Sequence, residues 1–170
     1  GEGGHCRFGP KSAQEIELLT KLMDRWPDHV SVERVVSGPG ILNVYDALRG
    51  DTPRHDALAT GDPSAAITRL ALDEACPLAV NTLNIFVDVL ADKAASLALK
   101  CNAHKVIVSG GIPPKIMPIL KQRFRASFEE KGRYRPLMEG IPVWVVTESN
   151  FGLLGAGYAA LDLTRALTPS

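Results

Sequence analysis

No charge excess, no paired-cysteine motif and no uninterrupted apolar run marks this sequence of 170 residues. Lys plus Arg number 19, as do Asp plus Glu, so the formal net charge is zero. Such a chain has no strong long-range field, and neither nucleic acid nor an anionic membrane is an expected partner. Cysteine is scarce: Cys6, Cys76 and Cys101 lie far apart and form no CxxC. An odd, scattered set argues against a disulfide scaffold or a zinc ribbon and fits a reducing compartment. The longest apolar stretch, residues 77–99, is interrupted by Asn81, Asn84, Asp88, Asp92 and Lys93, and does not have the pattern of a membrane span. There is no signal-peptide pattern, polybasic tract, internal repeat or low-complexity segment. What remains is a globular composition, 45% hydrophobic and 22% charged. It is long enough to bury a core without crosslinks. The first residue is Gly1 in a glycine-rich run, not Met, and the expectation is a fragment or excised domain.

The periodicity predicts a helix-rich α/β chain. Residues 1–10 read as loop or extended. Ser12, with Glu15 three residues on, forms a capping-box pattern. Ile16, Leu19, Leu22, Met23 and Trp26 then repeat at helical spacing until Pro27. A short helix is expected to start near Ser31 and to include Val32, Val35 and Val36. It stops at the SGPG run of residues 37–40, and another helix covers 41–48. Residues 49–63 read as a surface loop of low order. Asp62 and Pro63 supply an N-cap and a first-turn proline for a helix over 65–75. Residues 77–101 predict a long helix, apolar around much of its circumference and therefore central. The period then changes. Residues 105–109 and 141–147 read as two strands, the first buried and running into Gly110 and Gly111. Pro142 belongs at a strand start, where a missing N–H is tolerated. Helices are expected over 116–126 and 151–167.

Three segments carry candidate chemistry. In the run GEGGH, residues 1–5, Glu2 and His5 are three apart on a flexible backbone and can converge on one small ligand. A carboxylate and an imidazole together suit vicinal hydroxyls. On local spacing the segment also reads as a solvated turn. In ERVVSGPG, residues 33–40, Glu33 precedes a glycine turn that lets backbone approach a ligand. The same residues also read as a helix end and a new helix start, with Glu33 paired to a surface arginine. In VIVSGGIP, residues 106–113, a hydrophobic strand ends in Gly110 and Gly111 before a helix. That is one way to seat a flat ligand or a phosphate at the end of a sheet, and equally a plain tight turn. It is neither GxGxxG nor a P-loop, and no GxSxG elbow is present. His29, His55 and His104 have no metal-ligand spacing, so no metal site is expected. Trp26 and Trp144 read as core residues, and the charged run 129–133 reads as a solvated face.

Taken in order, these segments resemble the bacterial-type glucokinases, ATP-dependent sugar kinases of the hexokinase and actin superfamily. The matching stretches are GEGGH (1–5), HVSVERVVSGPGI (29–41), VSGGI (108–112), FEEKGR (128–133), IPV (141–143) and GLLGAG (152–157), spread over nearly the whole chain. The resemblance implies a partial actin-like, ribonuclease-H-like α/β ATPase domain. It implies that Glu2, His5 and Glu33 bind D-glucose, and that Gly110 and Gly111 bind the adenosine of ATP, which is used with Mg²⁺. The expected reaction passes the γ-phosphoryl group to the sugar 6-hydroxyl. A further implication is that the catalytic aspartate and the phosphate turns precede residue 1 in such kinases. No catalytic residue is then expected in this chain, which reads as the carboxy-terminal, large-domain portion (1–170) without an amino-terminal domain. A homodimer and a cytoplasmic location are also implied. The alternative is a sugar-binding regulatory relative without kinase activity. Where such kinases have a glycine- and asparagine-rich stretch in the long helix, this sequence has Asp92, Lys93, Ala94, Ala95 and Ser96.

Overall fold

The computed structural model describes residues 2–148 and 150–167. Its helices are α1 (Ala13–Arg25), α2 (Gly38–Arg49), α3 (Pro63–Leu72), α4 (Pro77–Lys100), α5 (Met117–Glu129), α6 (Arg135–Glu139) and α7 (Phe151–Leu167). Its strands are β1 (Val106–Val108) and β2 (Val143–Val145), paired in parallel with Ile107 opposite Trp144. The α5–α6 crossover joins them, as a parallel connection requires.

Helix α4 organises the rest. Its Leu83, Phe86 and Val87 face one core with Tyr45, Ile67, Ile116 and Phe128. Its Ile85 and Val89 face a second core with Phe8, Leu18, Leu22, Val35 and Val44. A helix with core on two sides must be apolar nearly all round, which is why its sequence shows little amphipathic contrast. Both α3 and α4 end with a residue in the left-handed region, Glu74 (φ 52°) and Asn102 (φ 48°). The following amides reach back to Leu70 and Ala98, the bond pattern of a Schellman cap.

The caps match the sequence. The Ser12 hydroxyl accepts from Glu15 N–H, and Asp62 accepts from Ser64 N–H. The inward face of α1 does not match. Glu15, Leu18 and Leu22 are buried, while Ile16 and Met23 stand 56% and 47% exposed. The Glu15 carboxylate earns its inward place by accepting from Lys11 N–H at 2.9 Å. Burial still pushes its pKa above the ordinary 4.5, despite that hydrogen bond and the Lys11 charge, and the Asp92 and Asp88 charges add to the rise. A carboxyl whose pKa is raised on folding costs stability above its folded pKa, and nothing below its unfolded one. Glu15→Gln is therefore expected to raise the melting temperature at pH 7 by about 2 °C. The gain should vanish below pH 4.5. Thermal melts across pH check this.

Other expectations are corrected by packing. The segment after Ser31 is a single 3-10 turn, Val32–Arg34, and α2 begins earlier than expected, at Gly38. Residues 49–63 are not loosely placed: Leu58 is buried, and Arg54 donates to Asp46. The charged run 129–133 is not a plain solvated face. Glu130 binds Lys11, Glu129 binds Arg125, and Lys131 binds Asp92 and Ser96. Strand β1 is covered on one side only. Val108 is buried but Ile107 is 56% exposed, and on β2 Trp144, expected in the core, is 65% exposed. Among the described residues nothing packs over that outer face. Helix α7 forms where expected, with Phe151, Leu153, Leu154, Tyr158, Leu161 and Leu163 exposed. Among the described residues, no single helix is long and apolar enough to cross a membrane.

Candidate functional site

The first functional segment is built by two short turns that rest on each other. Gly1 lies outside the described residues. Glu2 opens a 3-10 turn over Gly3–His5, in which His5 N–H donates to the Glu2 carbonyl at 3.0 Å. The chain then runs extended beside residues 30–32. Phe8 N–H donates to Val30, Val32 N–H donates to Cys6, and Arg7 bridges Ser31 in antiparallel fashion. This pairing brings the residue 33 turn under the residue 4 turn. A Cβ on Gly4 would lie 3.7 Å from the Glu33 Cβ. Glu2, His5 and Glu33, separated by up to 31 positions, thus belong to one exposed patch.

Neighbouring groups hold this patch without consuming it. The His29 ring packs 4.7 Å from that of His5, and its Nε2–H donates to the His5 carbonyl at 2.7 Å. Arg34 turns away and lies over the Trp26 ring at 4.5 Å, beside Arg25 at 4.6 Å. Trp26 is therefore half-buried, packed against the second core while two cations lie over its ring. The Cys6 thiol donates to the Gly3 carbonyl at 2.9 Å. Among the described residues the carboxylates of Glu2 and Glu33 have no ion-pair partner, so the surface arginine considered for Glu33 is not there. Two carboxylates and an imidazole left open to one side can accept from, and donate to, several hydroxyls of one polyol.

The second region begins where the Glu33 turn ends. The Ser37 hydroxyl donates to the Glu33 carbonyl at 2.7 Å and accepts from Gly40 N–H at 2.9 Å, which caps α2. Gly40 has no freedom to be anything larger. A Cβ there would lie 2.4 Å from the Val35 carbonyl oxygen. Gly38, at the helix start, accepts from the Ser64 hydroxyl at 2.6 Å, which ties α2 to α3.

Gly38 also lines a cavity of about 420 Å³ between α2, α3 with the turn before it, and the segment after β1. That volume is in the ordinary range of small-molecule sites, ~300–1,000 Å³. Ser64, Thr68 and Arg69 come from α3, and Ile112, Lys115 and Ile116 from the segment after the Gly110–Gly111 bend. Gly110 has φ 124°, a conformation that L side chains rarely adopt, and the space beside Gly111 is open. The bend leads directly into the cavity wall without itself forming part of it. The structure thus joins the three sequence segments through one turn, with Glu33 at one end and Gly38 in the cavity wall at the other.

Sequence reasoning missed α3 as a contributor. Thr68 and Arg69 carry no local signature; they line a cavity only because α3 meets the residue 112–116 segment. No group of three or more His, Cys, Asp or Glu that could hold a metal ion occurs among the described residues.

Comparison with known proteins places this geometry. The family model described as Glucokinase matches residues 1–163. The glucokinase of Trichormus variabilis is 37% identical over 95% of this chain and 53% of its own length. That of Yersinia pestis is 39% identical over 92% of this chain and 48% of its own. Among solved structures, a glucokinase from an Antarctic psychrotroph superposes with a TM-score of 0.79 at 36% identity, over 92% of this chain and 48% of that one. A Balamuthia mandrillaris glucokinase in complex with glucose gives 0.75 at 23% identity, over 87% and 43%, a likeness of fold. The expected helix-rich α/β class therefore holds. The chain spans about half the length of the curated relatives it matches.

Proposed function

This chain belongs to the glucokinase family, and on that premise we propose that it supplies the sugar claw and the nucleotide pocket of an ATP-dependent hexose kinase. In this reading Glu2, His5 and Glu33 hydrogen-bond the hydroxyls of D-glucose. The adenosine of ATP lies in the cavity between α2, α3 and the residue 112–116 segment, with the Gly110–Gly111 bend leaving room at its entrance. ATP supplies the γ-phosphoryl group that goes to the sugar 6-hydroxyl. The observation that supports the reading is the close approach of the Gly4 turn, which carries Glu2 and His5, to Glu33: a Cβ on Gly4 would lie 3.7 Å from the Glu33 Cβ. The glucose named with the Balamuthia structure supports the choice of sugar.

The claw suits discrimination. A hexose lacking one matching hydroxyl leaves a polar group of the site unpaired, which is costlier than losing an apolar contact. In this proposal Mg²⁺ comes with the nucleotide phosphates. The cytoplasmic setting and the homodimer implied by the resemblance belong to the same proposal.

Two variants test it, one in the claw and one in the cavity wall. Glu33→Gln keeps the shape and removes the charge. It should weaken glucose binding about 10- to 100-fold, the worth of a hydrogen bond to a charged group. Ala65 is exposed and lines the cavity. Ala65→Phe should fill the space without touching the core, and should cut nucleotide binding about tenfold or more while glucose binding holds. Isothermal calorimetry with glucose and with ATP reads both. Unchanged glucose affinity in Glu33→Gln would sink the claw.

A further inference from the structure

We infer that His29 is a positioning residue of the sugar claw: it holds the turn that carries Glu2 and His5 in the shape that meets Glu33. The inference rests on the claw reading of the proposed function and adds to it a residue that acts through His5.

The turn over Gly3–His5 cannot hold itself. None of its residues is buried, and no side chain caps it. Its internal bonds are His5 N–H to the Glu2 carbonyl at 3.0 Å and Cys6 N–H to the Gly3 carbonyl at a long 3.5 Å. A single hydrogen-bonded turn offsets little of the entropy lost in fixing its dihedrals. The claw therefore needs a hold from outside. Among the described residues, the one side chain from elsewhere in the sequence that hydrogen-bonds this turn is His29, whose Nε2 stands 2.7 Å from the His5 carbonyl oxygen.

His29 is fixed where it must be to do this. It directly precedes the ladder in which Val30 accepts from Phe8 N–H and Val32 N–H donates to Cys6, both at 2.9 Å. Val30 and Val32 are buried, so the imidazole projects from anchored backbone. A carbonyl oxygen only accepts, so Nε2 carries a proton in this contact whether the ring is neutral or charged. The two rings add a second point of hold, with centroids 4.7 Å apart and planes tilted by 35°.

The result is a His5 with its backbone committed at both ends. Its N–H is given to Glu2 and its carbonyl is taken by His29. Among the described residues no hydrogen bond engages its ring nitrogens, which are left for a ligand. One short segment thus serves both halves of the claw. His29 grips the Glu2–His5 turn at its start, and Glu33 follows at its end, under Gly4. A claw already ordered in the free chain loses less binding energy to ordering when the sugar arrives.

The test compares substitutions at position 29, read by backbone amide NMR relaxation of the free chain and by calorimetry with glucose. His29→Ala should drop the order parameters of residues 3–5 from rigid values of about 0.85 to below about 0.6. It should weaken glucose binding about tenfold, the worth of one hydrogen bond. Hydrogen-exchange protection of the Phe8 and Val32 amides should stay as in the parent, because the ladder does not use the imidazole. Reach then separates the other variants. In His29→Gln the amide nitrogen stands where Nε2 stood, so order should return and glucose affinity should recover to within about threefold of the parent. His29→Asn places its amide nitrogen where Nδ1 stood, and His29→Phe keeps a ring without a donor. Both should behave as His29→Ala does. A side chain that only filled space would rank by volume instead, with Phe nearest the parent.

An ordered turn in His29→Ala, parent-like glucose affinity in that variant, or rescue by Phe and not by Gln would each overturn the inference. Loss of Phe8 and Val32 protection in every variant would overturn it too, since His29 would then be holding the ladder and not the turn. The claw reading fails separately. A parent chain that binds no glucose overturns the proposed function, and the order parameters of the free chain still decide whether His29 holds the turn.

Discussion

Purified by itself, this chain of 170 residues is expected to release no ADP above background in a coupled assay with glucose and ATP. In the proposed reading the claw and the nucleotide pocket bind and orient, and neither moves the sugar proton. Three of the chain's carboxylates are committed to other partners. Asp46 is held by Arg49 and Arg54, Asp88 by Arg123 and Ser127, and Asp92 by Lys131. Lack of a general base alone costs roughly 10²–10⁴ in rate. Ordinary turnover by this chain would mean that one of its own carboxylates is the base, and would overturn the assignment of roles.

The second large effect is structural. Gly40→Ala is expected to destabilise the fold by about 3 kcal/mol or more, the upper end of overpacking costs. The added methyl group would sit 2.4 Å from the Val35 oxygen and 2.6 Å from its carbon. Both are backbone atoms, so relief requires moving Val35, whose N–H is bonded to Val32 in the turn that carries Glu33. Stability and glucose binding should therefore fall together. Gly38 provides the control: a Cβ there meets nothing within 4 Å, and its φ is not positive. Gly38→Ala should leave stability within about 0.5 kcal/mol of the parent. Urea unfolding of the two variants checks the contrast. Equal behaviour would show that the tight contact is not what fixes the turn.

Features set by neighbours in the chain were legible from sequence. Ser12, Asp62 and the α3 proline start their helices as expected, because a cap depends on residues within one turn. The long apolar α4 and both strands were legible for the same reason. The resemblance identified Glu2, His5 and Glu33 as partners, and the structure does place Gly4 against Glu33.

What misled was burial that depends on distant partners. Ile16 and Met23 satisfy a helical period, yet Glu15 faces inward because Lys11 N–H is there to meet it. Trp144 and Ile107 look like core residues and lie on a bare face. Trp26 also looks like core, and is only half-buried against it, with two arginines over its ring. The valines at 32, 35 and 36 promised a helix, but the chain needs only one turn before Ser37 restarts it. The cavity was invisible because its walls come from three segments spread over residues 38 to 116, and only tertiary packing sets them face to face.

The exposed thiols have a practical consequence. Cys6 stands in the turn between His5 and Arg7, and Cys101 lines a groove beside β1. A maleimide dye therefore has one attachment point at each region, and the rates of labelling at the two positions act as independent gauges of occupancy. Sugar should slow the reaction at the first and leave the rate at the second unchanged.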